Sequence, residues 1–269
     1  MQTAIISDLH ANLPAVRAVL TDIRRSGVTD IVCLGDLVGY NGFPRETIAA
    51  MRESGAACVS GNHDLMAIGR LSEDGCGPIA RRAIAWTRDA LADEDRWYLE
   101  GLPAALRHPP DLLCVHSVLD DPIVRLTTPA QFSEQARRLQ EQRPRLTLCF
   151  TGHTHRQHAV EVTPAGEVVT HTGETVSLGT AGEGGAAGPS YWFVNPGSVG
   201  DMATRDQRAA YAVVDRDAGE VRFHRVVYDR SAVLRENARH GLGPGPIGRA
   251  AAALLGGLLS GALSPSARP

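Results

Sequence analysis

None of the five cysteines sits in a Cys-x-x-Cys pair, which argues against a zinc ribbon or a disulfide framework. Four of them, Cys33, Cys58, Cys114 and Cys149, lie inside short apolar runs, where a thiol behaves as a small buried hydrophobe. Positive charge is not in surplus either. The chain carries 27 basic and 30 acidic residues, a net charge of −3, so no nucleic-acid-coating surface and no stable nucleic-acid partner is expected. A basic leader followed by an apolar stretch is missing from the start, because a strand and a ligand pair occupy residues 3 to 10; the expectation is a cytoplasmic protein. No apolar run reaches the roughly 20 residues needed to cross a bilayer. The Ala/Leu-rich stretch of the tail is shorter and is broken by Gly256-Gly257, so no membrane contact is expected.

What is present is a repeated pairing of short apolar strands with metal-ligand residue types. Leu146-Thr147-Leu148-Cys149-Phe150 reads as a buried strand stopping at Thr151-Gly152, followed by His153-Thr154-His155. If that segment is extended, i and i+2 face the same side and both imidazoles enter one small volume. The same design recurs. Thr3-Ala4-Ile5-Ile6 runs into Ser7-Asp8-Leu9-His10, Ile31-Val32-Cys33-Leu34 into Gly35-Asp36, Ala56-Ala57-Cys58-Val59 into Ser60-Gly61-Asn62-His63-Asp64, and Leu112-Leu113-Cys114-Val115 into His116-Ser117. Open α/β sheets place their binding crevice at such carboxyl ends. Half of the ten histidines fall in these spots, a distribution that surface scatter does not produce.

Carboxylates, imidazoles and one amide oxygen without a thiolate suit a hard or borderline divalent ion. Seven such residues exceed one tetrahedral zinc but fit two ions sharing a carboxylate. Two ions about 3.5–4 Å apart can clamp a phosphoryl group and acidify a bridging water. The implied reaction is phosphate-ester hydrolysis, in which a metal-bridging hydroxide attacks phosphorus.

Asp8-x-His10, Gly35-Asp36, Gly61-Asn62-His63-Asp64, His116 and Gly152-His153-Thr154-His155, in this order, resemble the calcineurin-like metallophosphoesterases. The likeness runs from residue 1 to about residue 228 and includes Asn195-Pro196-Gly197-Ser198-Val199. It implies an α/β fold, a four-layer αββα sandwich of two mixed sheets flanked by helices. It also implies that Asp8, His10 and His155 hold one metal, that Asn62, His116 and His153 hold the other, and that Asp36 bridges them. Two divalent ions are implied, manganese foremost, with iron, zinc, nickel or magnesium as alternatives. His63 is implied to contact the phosphate and protonate the leaving oxygen. Asp64 has two readings, as the orienter of His63 or as a helix N-cap.

Two departures bear on the substrate. Protein phosphatases and symmetrical diadenosine tetraphosphatases of this family carry Gly-Asp-x-x-Asp-Arg-Gly, with the second Asp orienting the histidine and the Arg gripping phosphate. Here Gly39 and Tyr40 stand at those places. Gly35-Asp36-Leu37-Val38-Gly39-Tyr40 looks like the small prokaryotic phosphodiesterase-like branch. Gly200-Asp201-Met202-Ala203 also departs from a Gly-Gln-Pro-Arg-like continuation, so no substrate contact is carried over there. A small phosphodiester is therefore the expected substrate. A nucleotide or a dinucleoside polyphosphate is the alternative, and a non-catalytic scaffold of the same fold, as in the retromer subunit, is the rival from another class.

Residues 1–238 are predicted to form the phosphoesterase domain and 239–269 a Gly/Ala/Pro-rich tail, with a helix that docks on the body or on a second copy in a homo-oligomer. Helices are predicted over 12–25, 44–52, 78–91, 93–102 and 134–141, and hairpins over 160–169 and 211–226. Trp97 and Tyr98 are expected in the core. Six glycines between Gly173 and Gly188 predict a flexible insert beside the site.

Overall fold

A computed structural model describes residues 1–108, 112–143, 145–178, 188–203 and 206–242. The first strand, β1 (Gln2–Ile6), is buried on both faces from Thr3 onward, as a central strand covered on both sides must be. It pairs in parallel with β2 (Asp30–Cys33), and β2 pairs likewise with the two-residue β3 (Ala57–Cys58). Between them run α1 (Leu13–Arg25) and α2 (Pro44–Ser54). Leu13, Val16, Val19, Leu20 and Ile23 bury one face of α1. Its start is closed by Asn12, whose side chain accepts a hydrogen bond from the Ala15 amide at 3.2 Å.

Then come α3 (Asn62–Ala67), α4 (Pro78–Ala90), α5 (Asp93–Glu100), β4 (Ala105–His108), β5 (Leu112–Val115), α6 (Pro129–Gln142) and β6 (Leu148–Phe150). The chain continues through β7 (His158–Val162), β8 (Val168–His171), β9 (Thr175–Ser177), β10 (Tyr191–Asn195), β11 (Ala209–Asp215), β12 (Glu220–Val226) and α7 (Arg230–Arg239). One sheet has the order β3-β2-β1-β11-β12-β9 and the other β4-β5-β6-β10-β7-β8. Both are mixed, six-stranded sheets, as the resemblance implied.

Three apolar layers hold the sandwich. Ile5, Val32 and Val214 of the first sheet meet Leu112, Phe150 and Trp192 of the second between the sheets. Val16, Leu20 and Ile23 of α1 cover the outer face of the first sheet. Phe132, Ala136 and Leu139 of α6 cover the second. Phe150, fully buried at the centre, is the kind of side chain whose truncation to alanine costs about 3–5 kcal/mol.

Several expectations are corrected. Trp97 is 69% exposed, because the short α5 turns Leu99 inward and leaves Trp97 on the opposite face. Residues 175–177, assigned to the flexible insert, form an edge strand: β9 pairs with β12, and its Val176 fills the layer between the sheets. A single well-placed valine outweighs the glycines around it. Helix α6 begins at Pro129, five residues before its predicted start, because Thr128 and Gln131 form a capping box there. The rest of the insert, 179–187, and the tail from 243 onward lie outside the described residues.

Candidate metal centre

Each of the five motif loops follows the carboxyl end of its strand, and main-chain hydrogen bonds pair the first loop with the second and the fourth with the fifth. The Asp8 amide donates to the Gly35 carbonyl at 3.0 Å and the His10 amide to the Asp36 carbonyl at 2.8 Å. The Gly152 amide donates to the His116 carbonyl at 2.8 Å, and the Gly200 amide to the Asp8 carbonyl at 2.9 Å. Gly61 is required at its place, since any Cβ there would overlap the backbone nitrogen and carboxylate of Asp36.

The i, i+2 ligand pairs converge, but by a different route from the pleat of an extended strand. Asp8, His10, Asp36, His153 and His155 all have φ between 47° and 61°. This left-handed conformation costs a non-glycine residue about 1–3 kcal/mol and persists where the surroundings over-determine it. Here the interlocked loops supply that constraint.

Ligand atoms of Asp8, His10 and His155 lie within 4.8 Å of one another, as do those of Asp36, His116 and His153, and those of His10, Asp36 and His63. Asn62 Oδ1 joins the second group, 2.9 Å from His116 Nε2. Asp36 connects the two halves: its Oδ2 is 3.4 Å from His116 Nε2 and 3.9 Å from His10 Nε2. The seven residues expected to bind metal are therefore brought together, and among the described residues no thiol joins them.

The far side of each ring fixes which nitrogen faces inward. His116 Nδ1 donates to the Leu34 carbonyl at 2.8 Å, His153 Nε2 to the Ile123 carbonyl at 2.9 Å, and His10 Nδ1 lies 3.4 Å from the Val38 carbonyl. His155 Nδ1 donates to Asp201 Oδ2 at 2.8 Å. Consequently the inner face is made of lone pairs: His10 Nε2 and His155 Nε2 stand 3.1 Å apart, and both are acceptors once their other nitrogens are spent as donors. Two facing lone pairs at that distance require a cation between them, a proton or a metal ion. The residues present fit a divalent cation.

Charge states agree. Burial, reinforced by neighbouring imidazoles, holds His63 down at about 3 and His153 at about 4, and burial also lowers His116. These rings stay neutral and keep a lone pair for a cation. Burial would depress His155 as well, yet the Asp8 and Asp201 carboxylates lift it to about 10. Burial and the nearby Asp64 and Asp8 carboxylates raise Asp36 well above its ordinary value, as expected for acidic groups crowded together without a counter-ion.

His63 opens α3 beside the Asp36 carboxylate, with its amide donating to Asp36 Oδ1 at 2.8 Å. Its ring sits 4.6 Å from that of Tyr40 and 4.9 Å from that of His10. Nδ1 has no hydrogen-bond partner among the described residues, and it faces Gly39, where a Cβ would lie 2.5 Å away. The space an orienting carboxylate at position 39 would need is filled by the ring itself. Asp64 does not take over that role. Its two oxygens accept from the Val38 amide at 3.1 Å and the Gly61 amide at 2.9 Å, so it braces the helix start against the Asp36 loop from inside the first turn of α3; the N-cap itself is Gly61, not Asp64.

Asp201 is the site residue that sequence reasoning passed over. The turn carrying it is anchored to the first metal loop, because Ser198 Oγ donates to the Asp8 carbonyl and accepts from the Asp201 amide, at 2.8 and 2.9 Å. A carboxylate just after the Asn-Pro-Gly-Ser-Val turn was the available signal. Arg125 was also missed. It is exposed, on a segment pinned where Ile123 meets His153 and where Ser117 Oγ bonds the Val124 carbonyl. Burial lowers His153 and raises Tyr40, and the Arg125 charge adds the smallest influence on each.

Comparison with known proteins gives consistent matches. The model of the calcineurin-like phosphoesterase superfamily domain matches residues 1–219. An uncharacterized protein of Methanocaldococcus jannaschii is 28% identical over 229 residues, covering 84% of this chain and 87% of its own. The crystal structure of a metallophosphoesterase from Sphaerobacter thermophilus is 34% identical, covers 90% of this chain and 95% of its own, and superposes with a TM-score of 0.70. A hypothetical protein from Pyrococcus horikoshii shares the fold at 18% identity, with a TM-score of 0.69 over 90% of this chain and 94% of its own.

Proposed function

The chain belongs to the calcineurin-like phosphoesterase superfamily, and we propose that it is a phosphodiesterase using two divalent ions to hydrolyse a small diester. The observation that carries this reading is the joining of two acceptor-only ligand groups through the single carboxylate of Asp36. Asp8, His10 and His155 would hold one ion and Asn62, His116 and His153 the other. Bound there, the ions would supply Lewis-acid charge to the phosphoryl group and lower the pKa of a water.

The protein's own groups do the remainder. Asp36 keeps the two ligand groups in register and orders α3 through the His63 amide. His63 stands beside the gap with its ring held by Tyr40 and His10; the ring by itself is neutral, and the negative charge of a bound phosphoryl group would raise its pKa so that it gives a proton to the leaving oxygen. Tyr40 puts an uncharged aromatic face where the resemblance would place a phosphate-gripping arginine in protein phosphatases. A phosphodiester, with one negative charge on its phosphoryl group instead of a monoester's two, suits that weaker positive field. Arg125 is left to hold a phosphoryl oxygen. Manganese is the ion proposed, although ligand type admits iron, zinc, nickel and magnesium. We place the protein in the cytoplasm with a small phosphate ester as its partner; no helix among the described residues is long and apolar enough to cross a membrane.

The deciding experiment is hydrolysis of bis-p-nitrophenyl phosphate beside p-nitrophenyl phosphate, by chelator-stripped protein refilled with manganese, with Asp36→Ala as control. Metal-dependent cleavage of the diester alone, lost in the mutant, supports the reading. Faster monoester cleavage moves the search to nucleotides and dinucleoside polyphosphates. No turnover with two ions bound makes the scaffold the better description.

A further inference from the structure

The four imidazoles expected to bind metal are not backed alike. Three lean on neutral main-chain carbonyls: His10 on Val38, His116 on Leu34 and His153 on Ile123. Only His155 is backed by a carboxylate, that of Asp201, at 2.8 Å. A carboxylate behind a ligating imidazole fixes the tautomer, turns the inner lone pair toward the ion and raises the basicity of the ring. Both partners are about four-fifths buried, with side-chain exposures of 19%, so water screens the pair only partly.

The other position is biased the opposite way. It offers a neutral amide, Asn62, where the first offers the Asp8 carboxylate. Asp36 is common to both and does not separate them. The geometry of the Asp201 turn is held independently of any metal. Ser198 Oγ fixes its backbone, and the second carboxylate oxygen accepts from the Ala203 amide at 2.7 Å.

We propose that Asp201 is a positioning residue that makes the two metal positions unequal, so that the one formed by Asp8, His10 and His155 fills first and the one formed by Asn62, His116 and His153 second. This rests on the two-ion reading above. It implies a resting form with one ion bound when metal is scarce, and activity governed by occupancy of the weaker position.

The test is calorimetric titration of the chelator-stripped, full-length protein with manganese, with bound metal counted by elemental analysis. Wild type should take up two ions in resolved steps. Asp201→Asn keeps an acceptor toward His155 but removes the charge. It should weaken the first step by about 10–100-fold and leave the second in place as evidence of an intact fold. Asn62→Ala should remove the second step and spare the first. An unchanged first step in Asp201→Asn overturns the proposal, and so does loss of the tighter step in Asn62→Ala. Uptake of a single ion, weakened by Asp201→Asn and indifferent to Asn62→Ala, would sink the two-ion reading while keeping the part assigned to Asp201.

Discussion

The ring of Tyr40 lies 4.6 Å from the ring of His63, tilted by 38°, and His10 closes the clasp 4.9 Å away. The proposed proton donor is thus oriented by packing, with no carboxylate on Nδ1 among the described residues. Tyr40→Ala should free the ring and lower kcat by about 10–100-fold, while Tyr40→Phe, which keeps the ring, should stay near wild type. Steady-state kinetics beside metal analysis checks this. Lost metal in Tyr40→Ala would mean that the ring supports ligands instead.

Replacing the donor itself has a different signature. His63→Ala should retain both ions and lose about 10²–10⁴-fold in kcat. The loss should shrink as the leaving group becomes more acidic, since a good leaving group needs no proton. A slope of log kcat against leaving-group pKa that matches wild type would remove His63 from that role.

The shared carboxylate makes the sharpest prediction about metal. At about 100 times Kd, a bound ion stabilises the folded state by about 2.7 kcal/mol, which raises Tm by roughly 5–10 °C in a chain of this size. Chelation should reverse the gain in wild type. Asp36→Ala should show little gain at the same concentration, because both positions lose a ligand. A full thermal shift in that mutant would show that Asp36 is not shared.

Arg125 should act on substrate and leave metal alone. A charge-assisted hydrogen bond contributes about 1.5–3 kcal/mol, so Arg125→Ala should raise KM by about 10-fold or more with little change in kcat or metal content. An unchanged KM for both model esters would place the side chain in solvent.

Much of this was readable in one dimension because local chemistry determines it. Apolar strands ending in Asp8, Asp36, Asn62, His116 and His153 announce themselves by run length and residue type. The helix α1 declares its buried face by spacing, and the buried cysteines follow from their apolar neighbours. The ordered motif set also implied two mixed sheets, and those are what the chain forms.

Tertiary structure decided what depends on distant segments meeting. Asp201 reaches His155 across 46 residues, through a turn pinned on Asp8; its place just after the Asn-Pro-Gly-Ser-Val turn marks it as a candidate, but nothing local in Gly200-Asp201-Met202-Ala203 says which residue it meets. Asp64 could not be assigned from its neighbours, because its two bonds go to the Val38 amide, 26 residues away, and back to Gly61. Even the i, i+2 pairs met by left-handed backbone, not by the alternation of a strand. Sequence settles which groups are available and at which strand ends. Only the packed loops settle which nitrogen faces inward and which charge stands behind it, because orientation and local field arise from contacts between segments that are far apart in the chain.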